Sequence, residues 1–131
     1  MILVFDTSGL SRALGGDETV LEPISRPEFE TFVIPLAVEA ELRYGFSLGS
    51  KSAHNLAVYE AFKHEFALEI AMPTTDTAII YAELARWCRR HGVVLSHNDL
   101  WIAATTIEIG GSLLTFDKDF EALPQLRSVS L

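Results

Sequence analysis

Short apolar runs separated by longer helical segments dominate this chain, and their alternation constrains the fold more than any other feature. The runs are rich in branched residues, which suits strands buried on both faces. They comprise Ile2–Phe5, Thr31–Ile34, Ala67–Ala71 and Ser112–Phe116, with Val129 in a predicted final edge strand. Strands that alternate with helices predict an α/β domain with a mostly parallel central sheet flanked by helices.

The helical segments between these runs have recognisable starts and stops. Thr7 and Ser8 offer an N-cap for the first helix, and Asn98 offers one for the last long helix. We predict helices to about Leu14, over Leu36–Leu48, from Ser52 to about Phe66, from Thr75 or Asp76 to Arg90, from Asp99 to about Ile109, and a helical turn over Lys118–Leu123. Because no repeat or long linker divides the chain, we expect residues 1–131 to form one domain.

Composition favours a protein that folds without a disulfide. Hydrophobic residues make up 49% of the 131 residues, enough for a sizeable core. Cys88 is the only cysteine, and we interpret it as a small core residue in a reducing cytoplasm. No segment approaches the roughly 20 apolar residues of a membrane-spanning helix. We therefore expect a cytoplasmic protein with no membrane contact.

Four acidic residues stand out because they lie within or directly after apolar segments. Asp6 and Asp117 each follow a predicted strand, whereas Glu41 and Asp99 belong to predicted helices. The carboxyl ends of parallel strands share one edge of a sheet, where ligands of such folds bind. Acids gathered at low dielectric resist ionising together, and a hard divalent cation with oxygen ligands removes that penalty. The pattern predicts a Mg²⁺ or Mn²⁺ site that hydrolyses phosphate esters.

Each acid alone also has an ordinary structural interpretation. Asp6, Asp99 and Asp117 lie where carboxylates cap helices or stabilise their first turns. Glu39, beside Glu41, is interpreted as part of a solvated helix face, while Gly45 suggests either the close approach of another chain or ligand or the start of a helix terminus. The functional interpretation therefore depends on the four acids acting as a set.

The formal charge of −8 argues against a broad cationic surface for nucleic acid. Removing the four acids of the predicted site still leaves −4. A phosphate backbone would then need local cations, and Arg12, Arg43 and Lys118 are candidates because each follows a predicted site residue closely in sequence.

Taken in order, the acidic segments resemble those of PIN-domain ribonucleases, especially the toxin subunits of VapC type in toxin–antitoxin pairs. The resemblance spans essentially the whole chain and is carried by Val4–Ser8, Glu41–Gly45, Asn98–Ala104 and Leu114–Phe120. It implies a metal-dependent endoribonuclease that acts on RNA, binds a cognate antitoxin and forms a homodimer.

The same resemblance implies roles for individual residues. Asp6, Glu41, Asp99 and Asp117 would form the catalytic metal site, with Glu41 acting directly or through water. Thr7, Ser8 and Thr115 would be supporting hydroxyls that orient ligands or waters. Asp119 competes with Asp117 for the role of fourth acid, and Asp117 is favoured because it follows the strand directly.

Two other functions fit part of the sequence. An aspartyl-phosphate phosphohydrolase would use Asp6 as its nucleophile, but that chemistry usually has a second Asp where this chain has Ser8. A catalytically degenerate RNA-binding or assembly module would keep the fold without metal or turnover. Trapping a phosphorylated Asp6, or titrating the protein with Mn²⁺, separates these alternatives from the nuclease.

Overall fold

A five-stranded, entirely parallel sheet forms the centre of the protein, as described for residues 1–130 by a computed structural model. The strands are β1 (Ile2–Phe5), β2 (Thr31–Pro35), β3 (Glu69–Ala71), β4 (Ser112–Thr115) and β5 (Ser128–Ser130). The helices are α1 (Thr7–Leu14), α2 (Glu18–Ile24), α3 (Leu36–Leu48), α4 (Ser52–Glu65), α5 (Thr75–His91) and α6 (His97–Glu108), and a 3₁₀ turn spans Lys118–Ala122. The predicted α/β class is confirmed, and the sheet is more uniformly parallel than expected.

The strand order is β3-β2-β1-β4-β5, so the side of the sheet on which successive strands are added changes at β1, in the centre. From β1 the chain builds outward to β2 and β3 on one side, and then returns to add β4 and β5 on the other. Strands β1 and β4 are therefore adjacent, with Phe5 in register with Leu114. The connections leave these two strands in opposite directions, which opens a crevice beyond their carboxyl ends.

The core explains why the apolar runs became strands. Leu3, Val4 and Phe5 in β1, and Leu113 and Leu114 in β4, have no exposed surface, as expected for central strands covered on both faces. Cys88 is buried, as predicted, and burial raises the pKa of its thiol. No helix in residues 1–130 combines the length and apolar character needed to cross a bilayer.

Several helix boundaries differ from the sequence predictions for reasons of capping. Asp6, and not Thr7 or Ser8, caps α1, because its Oδ1 accepts a hydrogen bond from the backbone N–H of Gly9 at 2.7 Å. Ser96, and not Asn98, caps α6 through a bond from the N–H of Asp99 at 3.1 Å. In both cases the helix begins earlier than predicted because a residue further upstream supplies the side-chain acceptor.

Helix α2 was not predicted at all. Its seven residues include Pro23, which normally disfavours a helix interior. Asp17 caps it by accepting bonds from the N–H and hydroxyl of Thr19, and Val20 and Ile24 bury its inner face. A short helix of this kind is stabilised by tertiary packing, which sequence periodicity does not reveal.

The interpretation of Glu39 as a solvated residue was wrong. Its Oε1 accepts hydrogen bonds from Tyr59 Oη at 3.0 Å, Lys63 Nζ at 3.2 Å and Arg43 at 3.4 Å, joining α3 to α4. Burial tends to raise the pKa of Glu39, but the donors from Tyr59 and Lys63 outweigh it and hold the pKa below its ordinary value. A Cβ at Gly45 would meet no other group of the described chain, so the close approach of another chain or ligand there stays a prediction.

Candidate active site

The four predicted acids converge on one cleft at the carboxyl edge of the sheet. The cleft has a volume of about 180 Å³, and eight residues line it: Asp6, Thr7, Ser8, Glu41, Asp99, Ile102, Asp117 and Phe120. Asp6 comes from the end of β1 and Asp117 from the segment after β4, so the reversal in strand order brings them together. Glu41 and Asp99 lie on α3 and α6, which pack against each other.

Asp6 is the most buried of the four acids, with 4% of its surface exposed. Its Oδ1 accepts the N–H of Gly9, its Oδ2 accepts the hydroxyl of Thr115, and Ser8 Oγ lies 3.1 and 3.2 Å from the two oxygens. Burial raises the pKa of Asp6, although the bonds from Thr115, Gly9 and Ser8 oppose that shift, and the charge of Asp117 adds to it. Asp6 therefore caps α1 and lines the cleft at once.

Thr115 connects the two acids that follow strands. Its hydroxyl donates to Asp6 Oδ2 and accepts the backbone N–H of Asp117 at 2.9 Å. Asp117 Oδ1 in turn accepts the N–H of Asp119 and caps the 3₁₀ turn. Asp117 lines the cleft, whereas Asp119 is exposed and lies outside its lining.

Glu41 lacks the hydrogen bonds that hold Asp6. Its Oε1 and the nearby Thr7 Oγ1 are buried, and neither has a hydrogen-bond partner among the described residues. Burial raises the pKa of Glu41, and the charges of Asp99 and Asp6 reinforce the shift. The nearby hydroxyl of Thr7 and amide of Asn98 oppose it without reaching hydrogen-bonding geometry. An unsatisfied buried carboxylate oxygen is costly unless a ligand completes it.

Within residues 1–130, no Lys, Arg or His forms an ion pair with any of the four acids. Across the same residues, no three Asp, Glu, His or Cys side chains are already close enough to enclose a metal ion. The charge of the four acids is therefore not compensated by side chains of the described residues. The donor set is all oxygen, which suits a hard divalent cation.

Two of the predicted phosphate-binding cations are engaged elsewhere. The Arg12 guanidinium lies 3.8 Å from the centre of the Phe116 ring and 3.8 Å from Asp17. Arg43 pairs with Glu39 and Glu60. Lys118 is exposed beside Asp117, at the rim of a separate small pocket.

Sequence reasoning missed three residues that shape the cleft. Ile102 and Phe120 contribute apolar wall, and their signal was indistinguishable from ordinary core residues. Gly9 holds Asp6 through its N–H, and a Cβ at this position would lie 2.7 Å from the carbonyl oxygen of Leu114. A glycine in the first turn after the acid was a usable signal, because glycine is otherwise unfavourable there.

The structure is thus an α/β domain with an all-parallel sheet and four carboxylates, unpaired with cations in the described residues, at the point where the strand order reverses. The PIN domain family model matches residues 3–126. The chain belongs to the PIN domain family, and the resemblance seen in the sequence is confirmed.

Individual relatives agree with this assignment. The chain is 32% identical to ribonuclease VapC2 of Rickettsia felis over 97 residues, which cover 73% of this chain and 71% of that protein. The structure of VapBC2 from Rickettsia felis, bound to a DNA fragment from its promoter, superimposes with a TM-score of 0.89 at 25% identity, covering 99% and 98% of the two chains. VapBC-5 from Mycobacterium tuberculosis has a TM-score of 0.75 at 25% identity, with coverage of 99% and 98%.

Proposed function

We propose that the chain is a Mg²⁺- or Mn²⁺-dependent endoribonuclease, the toxin of a type II toxin–antitoxin pair, with its active site in the acidic cleft. Membership of the PIN domain family and the similarity to a VapC ribonuclease support the enzyme class. The observation that carries the site assignment is the convergence of four carboxylates, without a cationic partner in the described chain, on one cleft.

In this proposal Asp6, Asp99 and Asp117 hold the cation, and the Ser8 and Thr115 hydroxyls fix the orientation of the Asp6 carboxylate. When bound, a divalent cation supplies charge neutralisation for the scissile phosphate and acidifies the attacking water. Ile102 and Phe120 exclude bulk water from one wall of the cleft. Less water lowers the local dielectric and strengthens the electrostatic interactions within the cleft.

Glu41 has two possible roles that one variant separates. Its Oε1 is buried and forms no hydrogen bond within residues 1–130, so it can accept a proton from the attacking water or contact the cation directly. If Glu41 is the base, Glu41→Gln abolishes turnover and leaves the Mn²⁺ affinity unchanged. If Glu41 is a ligand, Glu41→Gln weakens both turnover and the Mn²⁺ affinity measured by calorimetry.

The principal test is RNA cleavage by the purified protein with Mg²⁺ or Mn²⁺. We expect Asp6→Asn and Asp99→Asn to lose at least about 10²-fold in rate, the scale of lost electrostatic stabilisation at an active site. Asp119→Asn is the matched control, because that acid is exposed and outside the cleft, and it should retain activity. Full metal-dependent activity in Asp6→Asn would contradict the site assignment.

The hydrogen bonds of Asp6 also bear on the aspartyl-phosphate alternative. The single hydroxyl of Ser8 is shared between its two oxygens, and each oxygen accepts a further donor, from Gly9 or Thr115. These donors hold the carboxylate in place and reduce the basicity of both oxygens, so the arrangement favours a ligand or cap over a nucleophile. For the degenerate module, calorimetric titration with Mn²⁺ should show no specific binding, whereas the nuclease should bind it.

A cognate antitoxin is the expected protein partner, because the structural relatives include VapBC complexes. The cleft carries four carboxylates, so an antitoxin segment with Arg or Lys could enter it and compete with the metal. Co-expression with a small antitoxin-like protein, sought in the neighbouring open reading frame, should yield a complex that lacks nuclease activity and regains it after the partner is digested.

We also propose that the protein forms a homodimer. A second, apolar cleft of about 220 Å³ opens between α3 and α6, and its lining comprises Leu36, Ala37, Ala40, Pro73, Trp101 and Thr105. Leu36 and Met72 beside it are exposed, and such patches commonly mark interfaces. Ala40→Arg should give a monomer in light scattering, whereas Val94→Arg, at an 89% exposed apolar residue outside this cleft, should remain dimeric.

A further inference from the structure

The end of α5 carries a cluster of exposed cations that the active-site cleft does not use. Arg86, Arg89 and Arg90 are spaced i, i+3 and i+4, so they share one face of the helix. All three are exposed, and none forms a hydrogen bond or ion pair through its side chain within residues 1–130. They are three of only ten lysines and arginines in the sequence.

Most of the remaining cations are committed to intramolecular pairs. Arg12, Arg26, Arg43 and Lys63 each lie within 4 Å of a carboxylate in the described chain. In a protein of formal charge −8, a polyanion therefore meets its largest local concentration of free positive charge at the end of α5.

The packing of α5 against α6 places this cluster on the side of the active-site cleft. The two helices are antiparallel, because Thr77 near the start of α5 donates to Glu108 at the end of α6. Further along, Tyr81 contacts Trp101 and His97 at the start of α6. Helix α5 then continues for ten more residues to His91, which is about 15 Å at 1.5 Å per residue. Its basic end therefore projects beyond the turn of α6 that carries Asp99.

An aromatic surface accompanies the arginines. The Trp87 and His91 rings stack with centroids 4.1 Å apart and planes 14° from parallel, and His91 Nδ1 lies 2.8 Å from the Trp87 carbonyl oxygen. His91 is exposed, so the outer face of its ring is open to solvent. Positive charge beside an open aromatic face is the combination that holds single-stranded nucleic acid, through phosphates and stacked bases.

We propose that the surface formed by Arg86, Arg89, Arg90 and His91 is an RNA-binding exosite that holds the substrate strand outside the cleft. It rests on the proposed nuclease function and adds a second contact region outside the cleft. An ordinary role at a helix C-terminus, where arginines interact favourably with the helix dipole, explains their charge but predicts no effect on RNA. The two roles are separable by experiment.

The test compares a triple variant, R86Q/R89Q/R90Q, with a control of equal charge, R26Q/K51Q/R127Q. Fluorescence anisotropy with a single-stranded RNA 20-mer in EDTA measures binding without cleavage. The exosite variant should bind at least about tenfold more weakly, and the slope of log affinity against log salt should fall by about 2, since each phosphate contact on a single strand contributes about 0.7. The control should stay within about twofold of the original protein, and single-stranded DNA of the same sequence reports how far the 2′-hydroxyl contributes.

Cleavage kinetics in Mn²⁺ then show whether the arginines affect substrate binding or turnover. The exosite variant should show a raised KM for the 20-mer at unchanged kcat, and unchanged kinetics for a tetranucleotide that reaches only the cleft. Equal behaviour of the two triple variants, or no RNA binding by the original protein in EDTA, would overturn the exosite. Absence of cleavage by the original protein would instead refute the nuclease, while the anisotropy result still decides the exosite.

Discussion

At the scale of single residues, Asp6 combines two demands that oppose each other. It is nearly fully buried, which disfavours its charge, yet it caps α1 and receives bonds from Gly9, Ser8 and Thr115. The net effect is a raised pKa. The metal-free fold therefore binds this proton more tightly than the unfolded chain does, and charging Asp6 costs stability. A bound cation would offset that cost.

This balance predicts that the stability of the metal-free fold depends on pH differently in the original protein and in Asp6→Asn. In EDTA, Asp6 should destabilise the fold as pH rises from its ordinary pKa of 3.8 through its raised folded value. The variant, which has no charge at this position, should therefore melt a few degrees higher than the original protein at pH 7.5. That difference should close as pH falls through the folded pKa.

Differential scanning fluorimetry across pH checks the prediction, and Mn²⁺ supplies its control. Added Mn²⁺ at pH 7.5 should raise the melting temperature of the original protein by mass action and leave Asp6→Asn nearly unchanged. If the melting temperatures of the two proteins change with pH in the same way in EDTA, Asp6 is not the group that causes the pH dependence of stability.

Gly9 offers a second prediction at this scale, with a matched partner in Gly111. A Cβ at Gly9 would lie 2.7 Å from the Leu114 carbonyl oxygen, and one at Gly111 would lie 2.7 Å from Val4 Cγ2. Each alanine variant should lose about 1–3 kcal/mol of stability through overpacking. Only Gly9→Ala should also weaken Mn²⁺ binding, because the Gly9 N–H holds Asp6 Oδ1. Urea unfolding and calorimetry measure the two effects, and equal Mn²⁺ affinities would contradict a positioning role for Gly9.

At the scale of elements, the pairing of α3 with α4 depends on a polar cluster around Glu39. Tyr59 is fully buried and donates to Glu39, so Tyr59→Phe removes a bond to a charged acceptor. We expect a loss of about 1.5–3 kcal/mol in the free energy of unfolding, the usual range for such bonds. Tyr44→Phe on the same pair of helices is the control, because Tyr44 is 66% exposed. Equal stabilities of the two variants in urea would show that the Glu39 cluster is not stabilising.

The elements also show what the sequence could and could not predict. The strands over Ile2–Phe5 and Ser112–Thr115 were predictable because central parallel strands need continuous apolar residues. Helix α2 was not, because its stability comes from Val20 and Ile24 packing on the core. The cap at Asp6 was one of several that the sequence allowed, and the cap at Ser96 was missed, because several neighbouring residues can supply an acceptor and only the backbone geometry decides which one does.

At the scale of the whole molecule, the convergence of Asp6 and Asp117 followed from the fold class, whereas the approach of Glu41 and Asp99 depended on how α3 and α6 pack. Parallel strands place Asp6 and Asp117 at one edge, and the reversal in strand order makes those strands neighbours. The contacts of the cationic side chains could not be predicted from the sequence. Arg12 and Arg43 follow predicted site residues closely in sequence, yet they contact other groups. Ion pairing of long side chains depends on distances between elements that are remote in sequence.

The whole chain should also unfold as one unit, as the expectation of a single domain requires. Trp87 and Trp101 report on α5 and α6, whereas far-ultraviolet circular dichroism reports on all helices. For a domain below about 150 residues the two transitions in urea should coincide. Separated midpoints would indicate two independently stable parts.

The pairing of β1 with β4 has a consequence for synthesis of the protein in a cell. Asp6, in one wall of the cleft, precedes Asp117, in the other wall, by 111 residues in the sequence. A growing polypeptide therefore cannot assemble the cleft until the segment that carries Asp117 has left the ribosome. If the assembled cleft cuts RNA, the ribosome and message that produce it are exposed to that activity only after this segment has been released.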